Sequence, residues 1–240
     1  MNPQLNEIWV YLSASPLLGL SMTLLAYQGA FWLYQRSGHN PLANPVLIAV
    51  SILVLFLTLT ATRYETYFAG AQFVHFLLGP ATVALAIPLY TQFKRVRTML
   101  LPVVAGLLAG SLTATISAVL IARWFDASLP TQLSLAPKSV TTPIAMGIAE
   151  RIGGIPSLTA VLVIITGVLG AVGARAVFDA LKVRDPAIRG FAIGVASHGI
   201  GTARAFQVNE QSGAFAALAM GLNGALTAIL VPLIAGWLTS

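Results

Sequence analysis

Runs of about twenty apolar residues, recurring through most of the chain, constrain this sequence more than any other feature. They fall at residues 8–34, 45–62, 99–123, 157–177, 188–206 and 214–238. An apolar helix of that length crosses the hydrocarbon core of a bilayer. A soluble domain carries roughly a quarter of its residues as charges, and this chain has 8% charged against 57% hydrophobic residues. The pattern predicts an all-α integral membrane protein, a polytopic helical bundle with residues 1–240 forming a single transmembrane domain. The N-terminus, MNPQLNE, has no basic segment, and the apolar run behind it exceeds the roughly 7–15 residues of a secretory signal. It therefore reads as a first span.

Two further segments are apolar but interrupted. Residues 67–90 are divided at Gly79-Pro80, and residues 128–150 are punctuated by polar groups around Pro137 and Pro143. Inside a bilayer each unpaired N–H or C=O costs several kcal/mol, so a broken helix is tolerated only against protein or beside a wet cavity. These segments predict broken or re-entrant helices. Pro80 and Pro137 are each expected at the first position of a new helix, where the missing N–H is not needed.

The two breaks resemble each other. Leu78-Gly79-Pro80-Ala81-Thr82-Val83 aligns with Leu135-Ala136-Pro137-Lys138-Ser139-Val140, and further on Arg97 to Pro102 matches Arg151 to Pro156 after a three-residue gap. Chance recurrence of Pro and Gly is one reading. An internal duplication, with units of about 41–125 and 99–180, is the other, and secondary transporters are often built that way.

Charge counting bears on topology. Lys94, Arg95 and Arg97 form one basic loop, and Arg175, Lys182, Arg184 and Arg189 another. Cytoplasmic loops are enriched in Lys and Arg. Both loops reach the cytoplasmic face only if 128–150 is re-entrant rather than a full crossing.

Several functions are excluded by composition. The net charge of +6 sits in short groups between apolar runs and forms no basic stripe interleaved with aromatics, so nucleic acid is not an expected partner. There is no cysteine, and His39, His75 and His198 are far apart, so no metal site or cofactor is expected. With no Ser–His–Asp set or paired-aspartate motif, the chain does not read as an enzyme.

The candidate site is built from what remains. A helix beginning at Pro137 presents free N–H groups and a partial positive charge. Lys138 adds a full charge there, and Ser139, Thr141 and Thr142 add hydroxyls, a set suited to a carboxylate. A snorkelling lysine and helix–helix contacts through the hydroxyls are the plainer alternative. The second constellation is Ser197-His198-Gly199-Ile200-Gly201-Thr202-Ala203-Arg204. Ionisable groups inside a membrane are costly and point to function. His198 titrates nearest neutrality and is the candidate for a coupling proton. Glu150 is a second candidate for that role. Thr202 and Arg204 are candidates to hold a carboxylate. Gly199 and Gly201, like Gly79 and Pro143, are candidate helix-break positions. Asn223, deep in the last apolar run, needs partners as glue or as a cavity residue. Thr82 mirrors Ser139 in the repeat.

At these residues the sequence resembles the LrgB/CidB family of bacterial membrane proteins. The stretches that carry the likeness are LLGPATVALAIPLY (77–90), LAPKSVTTPIAMGIAERIGGIPSLTAV (135–161), ASHGIGTARAF (196–206) and AFAALAMGLNGALTAILVPL (214–233). The resemblance implies one of two functions. Bacterial members were named for antiholin-like control of murein hydrolase activity and lysis, alongside a small holin-like partner of the LrgA/CidA type. Plant relatives resemble a plastid translocator of glycolate and glycerate, and some bacterial relatives are linked to pyruvate uptake. The leading expectation is a proton-coupled secondary transporter for a small monocarboxylate, with Lys138, Ser139, Thr141 and Thr142 facing His198, Thr202 and Arg204. By analogy it has inverted repeats with crossing broken helices. It is expected in the bacterial cytoplasmic (inner) membrane, among lipids, with a homo-oligomer or the holin-like protein as partner.

Overall fold

A computed structural model describes residues 16–40, 43–77, 80, 83, 84 and 86–239, and they divide into two compact units, Met1–Ala84 and Leu85–Ser240. The described residues are helical with no strand. The chain is an all-α membrane protein, and among the described residues four helices are long and apolar enough to cross a bilayer. Gly79 and Thr82 lie outside the described residues, so the first predicted break is not described.

In the first unit, α1 (Pro16–Arg36) packs against α2 (Pro45–Leu59) and α3 (Tyr64–Phe76). Pro45 opens α2 behind Asn44, whose side chain accepts from the Val46 and Leu47 amides at 2.9 and 3.2 Å. Ala26 and Ala30 of α1 meet Ala49 of α2, and Thr23 of α1 bonds the Tyr67 hydroxyl of α3 at 2.7 Å.

The second unit begins with short helices α4 (Ala86–Thr91) and α5 (Phe93–Thr98), followed by α6 (Leu100–Trp124). After them come α7 (Leu129–Leu135), α8 (Thr142–Ile152), α9 (Pro156–Ala180), α10 (Pro186–Val208) and α11 (Glu210–Thr239). Its polarity is that of a lipid-facing body: Leu101, Leu169 and Leu233 are exposed while Ser111, Thr115, Thr159 and Asn223 are buried.

Segment 128–150 is re-entrant. The Ile155 amide donates to Ser134 Oγ at 2.7 Å, the Thr159 hydroxyl donates to the Ser134 carbonyl at 3.1 Å, and a Cβ on Gly154 would stand 3.0 Å from the Ser134 nitrogen. The end of α7 and the residues that follow α8 are therefore neighbours, although α8 alone is about 16 Å long. The break is placed differently from the expectation. Pro137 does not start a helix but ends α7, because without an N–H it cannot donate to the Leu133 carbonyl. Turn bonds from Lys138 N to Leu135 O and from Val140 N to Pro137 O follow. The new helix begins at Thr142, after an extended Thr141, with Pro143 in its first turn.

Residues 188–206, read from sequence as a full span, also double back. A Cβ on Gly201 would lie 3.0 Å from the Ile193 carbonyl, whereas residues eight apart in a continuous helix are about 12 Å apart. Ile193 and Ala205 share one apolar cluster. The reversal is at Ser197 (φ −129°, ψ 15°) and His198 (φ 41°, ψ −135°), just ahead of the glycines expected to break the helix. A non-glycine residue in that region costs roughly 1–3 kcal/mol. The surrounding packing must hold it. Gly167 and Gly170 of α9 leave room for the tip: a Cβ would come within 2.8 Å of the His198 ring at the first and 1.7 Å of Ser197 Oγ at the second.

The order hairpin then long helix thus occurs twice, at 129–180 and at 186–239. One membrane-length helix, α9, separates the hairpins, so they enter from opposite ends. Returning arms of about 16 Å are long enough to set both tips near the middle of a core of about 30 Å. Arg95 bonds Asp185 at 2.5 Å, which places the two basic loops side by side as charge counting required.

The cysteine-free background makes this topology testable. Ser128→Cys and Ile155→Cys are expected to react with a membrane-impermeant maleimide from one face of a vesicle, and Leu181→Cys and Val208→Cys from the other. Labelling of positions 128 and 155 from opposite faces would show 129–152 to be a crossing helix.

Candidate functional site

The two hairpin tips meet at Asn223 of α11. Its Nδ2 donates to the Ser139 carbonyl at 3.2 Å and to the Val195 carbonyl at 3.1 Å. Each acceptor belongs to backbone beside an interruption, where ladder partners are lost. One buried amide thereby ties both breaks together. Its Oδ1 accepts from the Thr227 hydroxyl at 3.5 Å, and Thr227 lies 3.4 Å from Ser111 Oγ on α6. This polar thread runs through an apolar body, which is affordable only because its members satisfy one another.

Around it the tips carry their side chains. Lys138 is half-buried, and its Nζ lies 3.4 Å from Ser139 Oγ. None of the ion pairs among the described residues involves it. His198 is carried by the other tip, which the same Asn223 amide ties to the tip that bears Lys138. His198 is buried, and its Nε2 bonds the Val163 carbonyl of α9 at 2.9 Å. A carbonyl only accepts, so Nε2 bears the hydrogen and Nδ1 is the nitrogen left to gain or lose a proton. Thr202 donates to the His198 carbonyl at 2.8 Å, one turn back along the returning arm. The returning arms, α8 and residues 199–208, both begin at the tips, so two helix N-termini with their partial positive charge converge there.

The structure brings together Lys138, Ser139, His198, Thr202 and Asn223, with Thr141 and Thr142 half-buried at the start of α8. It separates others from them. Arg204 stands six residues past His198, about 9 Å back along its arm, and lines a different cleft with Arg175 and Arg189. It does not face Lys138, because the hairpin carries it away from the tip. Glu150 is exposed near the far end of α8, since that helix leads away from the tip too. Pro80 stands in helical backbone, Pro143 is exposed, Gly199 is half-buried and Gly201 packs on Ser197.

Sequence reading placed Ser197 in the second constellation without giving it a role; it is 1% exposed, and its hydroxyl is the buried side-chain group without a hydrogen-bond partner among the described residues. Its place beside His198 was a signal, but serine suits helix contacts equally well. Val163, Gly167 and Gly170 were not legible at all. They act through their position opposite a tip whose reversal is a tertiary fact.

Fold and site together define a polytopic helical membrane protein in which two re-entrant hairpins join tips inside the bilayer. The LrgB-like family model matches residues 23–237, and the chain belongs to that family. It is 38% identical over 216 residues to uncharacterized protein YwbG of Bacillus subtilis, covering 90% of this chain and 96% of that one. It is 36% identical over 217 residues to uncharacterized protein YxaC of the same organism, covering 90% and 94%. It is 29% identical over 219 residues to antiholin-like protein LrgB of Bacillus cereus, covering 91% and 95%. No solved structure matches.

Proposed function

We propose that this protein is a secondary carrier for a small monocarboxylate of the glycolate, glycerate or pyruvate kind, coupled to protons, in the bacterial cytoplasmic membrane. The observation that carries this reading is Lys138, a half-buried cation at a hairpin tip that takes part in none of the ion pairs among the described residues. A cation withdrawn from water demands an anion, and the two converging helix N-termini favour the same sign of guest. Ser139, Thr141, Thr142 and Thr202 supply hydroxyls for the guest's oxygens. His198 supplies a titratable nitrogen beside Lys138, and an approaching carboxylate favours its protonation. That gives a physical route to co-movement of anion and proton. Discontinuous helices meeting at mid-bilayer are the usual setting for such a site.

Purified protein in liposomes, tested with labelled glycolate, glycerate and pyruvate, is expected to show saturable uptake stimulated by an inward proton gradient. Lys138→Ala is expected to reduce that uptake by about a hundredfold, the scale of a lost charge-assisted hydrogen bond in a dry site. Unchanged flux in that variant would remove Lys138 from the site.

A second reading is supported by a relative's name, antiholin-like protein LrgB. On it the protein regulates murein hydrolase activity and lysis by assembling with a small holin-like membrane protein or with copies of itself. This reading predicts dependence on surface contacts rather than on the tips. Absence of small-acid uptake, with a lysis phenotype untouched by Lys138→Ala, would favour it.

A further inference from the structure

A groove of about 510 Å³ runs along the second unit between α6 and the incoming arm of α10, with the buried ring of Phe215 from α11 also lining it. Both walls start at the basic end, at Met99 and Ala187, and the α10 wall ends at Val195 and Ala196, beside the reversal. Glycines on α6 let the walls approach. A Cβ on Gly106 would lie 3.4 Å from the Phe191 ring, and one on Gly110 would lie 2.9 Å from the Val195 side chain. No polar side chain lines the groove. Pro102, Gly106, Ile188 and Ala196 on its walls are exposed, so it opens sideways toward lipid.

The dimensions are those of one acyl chain. From Ala187 to Ala196 the helix rises about 14 Å, and one leaflet is about 15 Å deep, half of a hydrocarbon core of about 30 Å. The volume holds roughly seventeen groups the size of a water, and a methylene is about that size. The mouth is basic. Lys94 and Arg97 precede Met99 in the chain, and Lys182 and Arg184 precede Ala187. All four are exposed, and none takes part in the ion pairs among the described residues. The acidic groups of the second loop are already engaged, Asp185 with Arg95 and Asp179 with Arg175 and Arg189. The Arg95–Asp185 pair also holds the two basic loops together at this end. Clustered cations at a membrane surface attract anionic headgroups, and they do so next to an apolar slot of one leaflet's depth.

We propose that this groove is a binding site for one anionic phospholipid, with an acyl chain lying along α10 and the headgroup among Lys94, Arg97, Lys182 and Arg184. The chain would pack the incoming arm from its lipid side as far as Val195, whose carbonyl the Asn223 amide holds. Occupancy therefore stabilises the fold around the reversal. The site uses neither Lys138 nor His198 and does not rest on the carrier reading.

The test uses the purified, lipid-depleted full chain in neutral detergent. Its thermal midpoint is titrated in mixed micelles with long-chain phosphatidylglycerol, with phosphatidylcholine of the same chains, and with a short-chain phosphatidylglycerol. A saturable rise is expected with the first, and a much weaker one with the other two, which lack either the charge or the chain. Two double variants, Lys94→Gln with Arg97→Gln and Lys182→Gln with Arg184→Gln, change exposed side chains and so leave the fold intact. In each, the apparent affinity should fall by about fivefold for every charge removed. Ala192→Leu fills the groove from its α10 wall, and it should blunt the response while the surface charge stays the same. Ile188→Cys, a single thiol on the rim, tests the rival occupant, a second copy of this chain. The proposal is overturned if the two long-chain lipids act alike, or if the short-chain lipid acts as strongly as the long. It is equally overturned if both double variants respond like the native chain, or if Ile188→Cys forms disulfide-linked dimers in a bilayer that contains phosphatidylglycerol.

Discussion

The Gly194→Val variant is expected to lose the folded state. Gly190 and Gly194 form a stripe on the incoming arm of α10 along which the backbone of α11 lies in direct contact. A Cβ on Gly194 would stand 2.2 Å from the Ala216 carbonyl oxygen, and one on Gly190 would stand 2.1 Å from the Ser212 carbonyl oxygen. The obstacle is main chain in both cases, so no rotamer change relieves it. Valine would force the arm away from α11 by more than an ångström. Overpacking typically costs 1–3 kcal/mol and occasionally more. Here it would also withdraw Val195, one residue on, from Asn223, and loosen the strained reversal at His198. Helices in a bilayer gain little from the hydrophobic effect and associate through close packing of small residues, so a lost contact has few substitutes. Size-exclusion chromatography of a fluorescently tagged chain in detergent reads this directly, with Gly221→Ala as control because a Cβ there meets nothing within 4 Å. A monodisperse Gly194→Val protein with a native melting point would refute the close approach of α10 and α11.

Asn223→Leu is expected to be the most damaging change to a polar group. The side chain is 1% exposed and donates to both interrupted segments. Leucine fills a similar volume but leaves two buried carbonyls without their donor. Removing one partner from a buried hydrogen bond costs about 1–3 kcal/mol, whereas bonds in a bilayer average nearer 0.6 kcal/mol. The lower figure reflects unfolded helices that find other partners. Here the acceptors lie beside fixed breaks, which argues for a loss of about 2 kcal/mol or more in total. Asn223→Asp, nearly the same shape, tests whether the amide hydrogens are responsible. A carboxylate would face two carbonyl oxygens with no hydrogen to offer, so it should destabilise at least as much as leucine. Thermal melts in detergent give the order of the two variants. If the aspartate behaves as native, Asn223 is held by packing and the link between the tips is not a hydrogen bond. Under the carrier reading, both changes should also reduce uptake beyond what their melting points explain, since the tips would no longer share one anchor.

Much of this architecture was legible because a bilayer restricts the answer. Apolar runs of membrane length located α1, α6, α9 and α11, and prolines located the interruption between α7 and α8. Lys138 and His198 stood out as ionisable groups in apolar surroundings. Charge counting also recovered the re-entrance of 128–150, because it depends only on which loops share a face.

Other features depended on where the chain turned. Residues 188–206 have the length, apolarity and glycine content of a crossing helix, and their local chemistry is equally compatible with going straight or folding back. The outcome was decided by Gly167 and Gly170 making space on α9, by Gly190 and Gly194 drawing α11 close, and by Asn223 pairing the Val195 carbonyl. For the same reason sequence alone could select Arg204 as a charged group but could not assign it to the base of the hairpin rather than the tip. Periodicity and composition determine which residues are helical and which prefer lipid. The direction of a chain after a break depends on contacts between residues far apart in sequence, and only the folded molecule contains those.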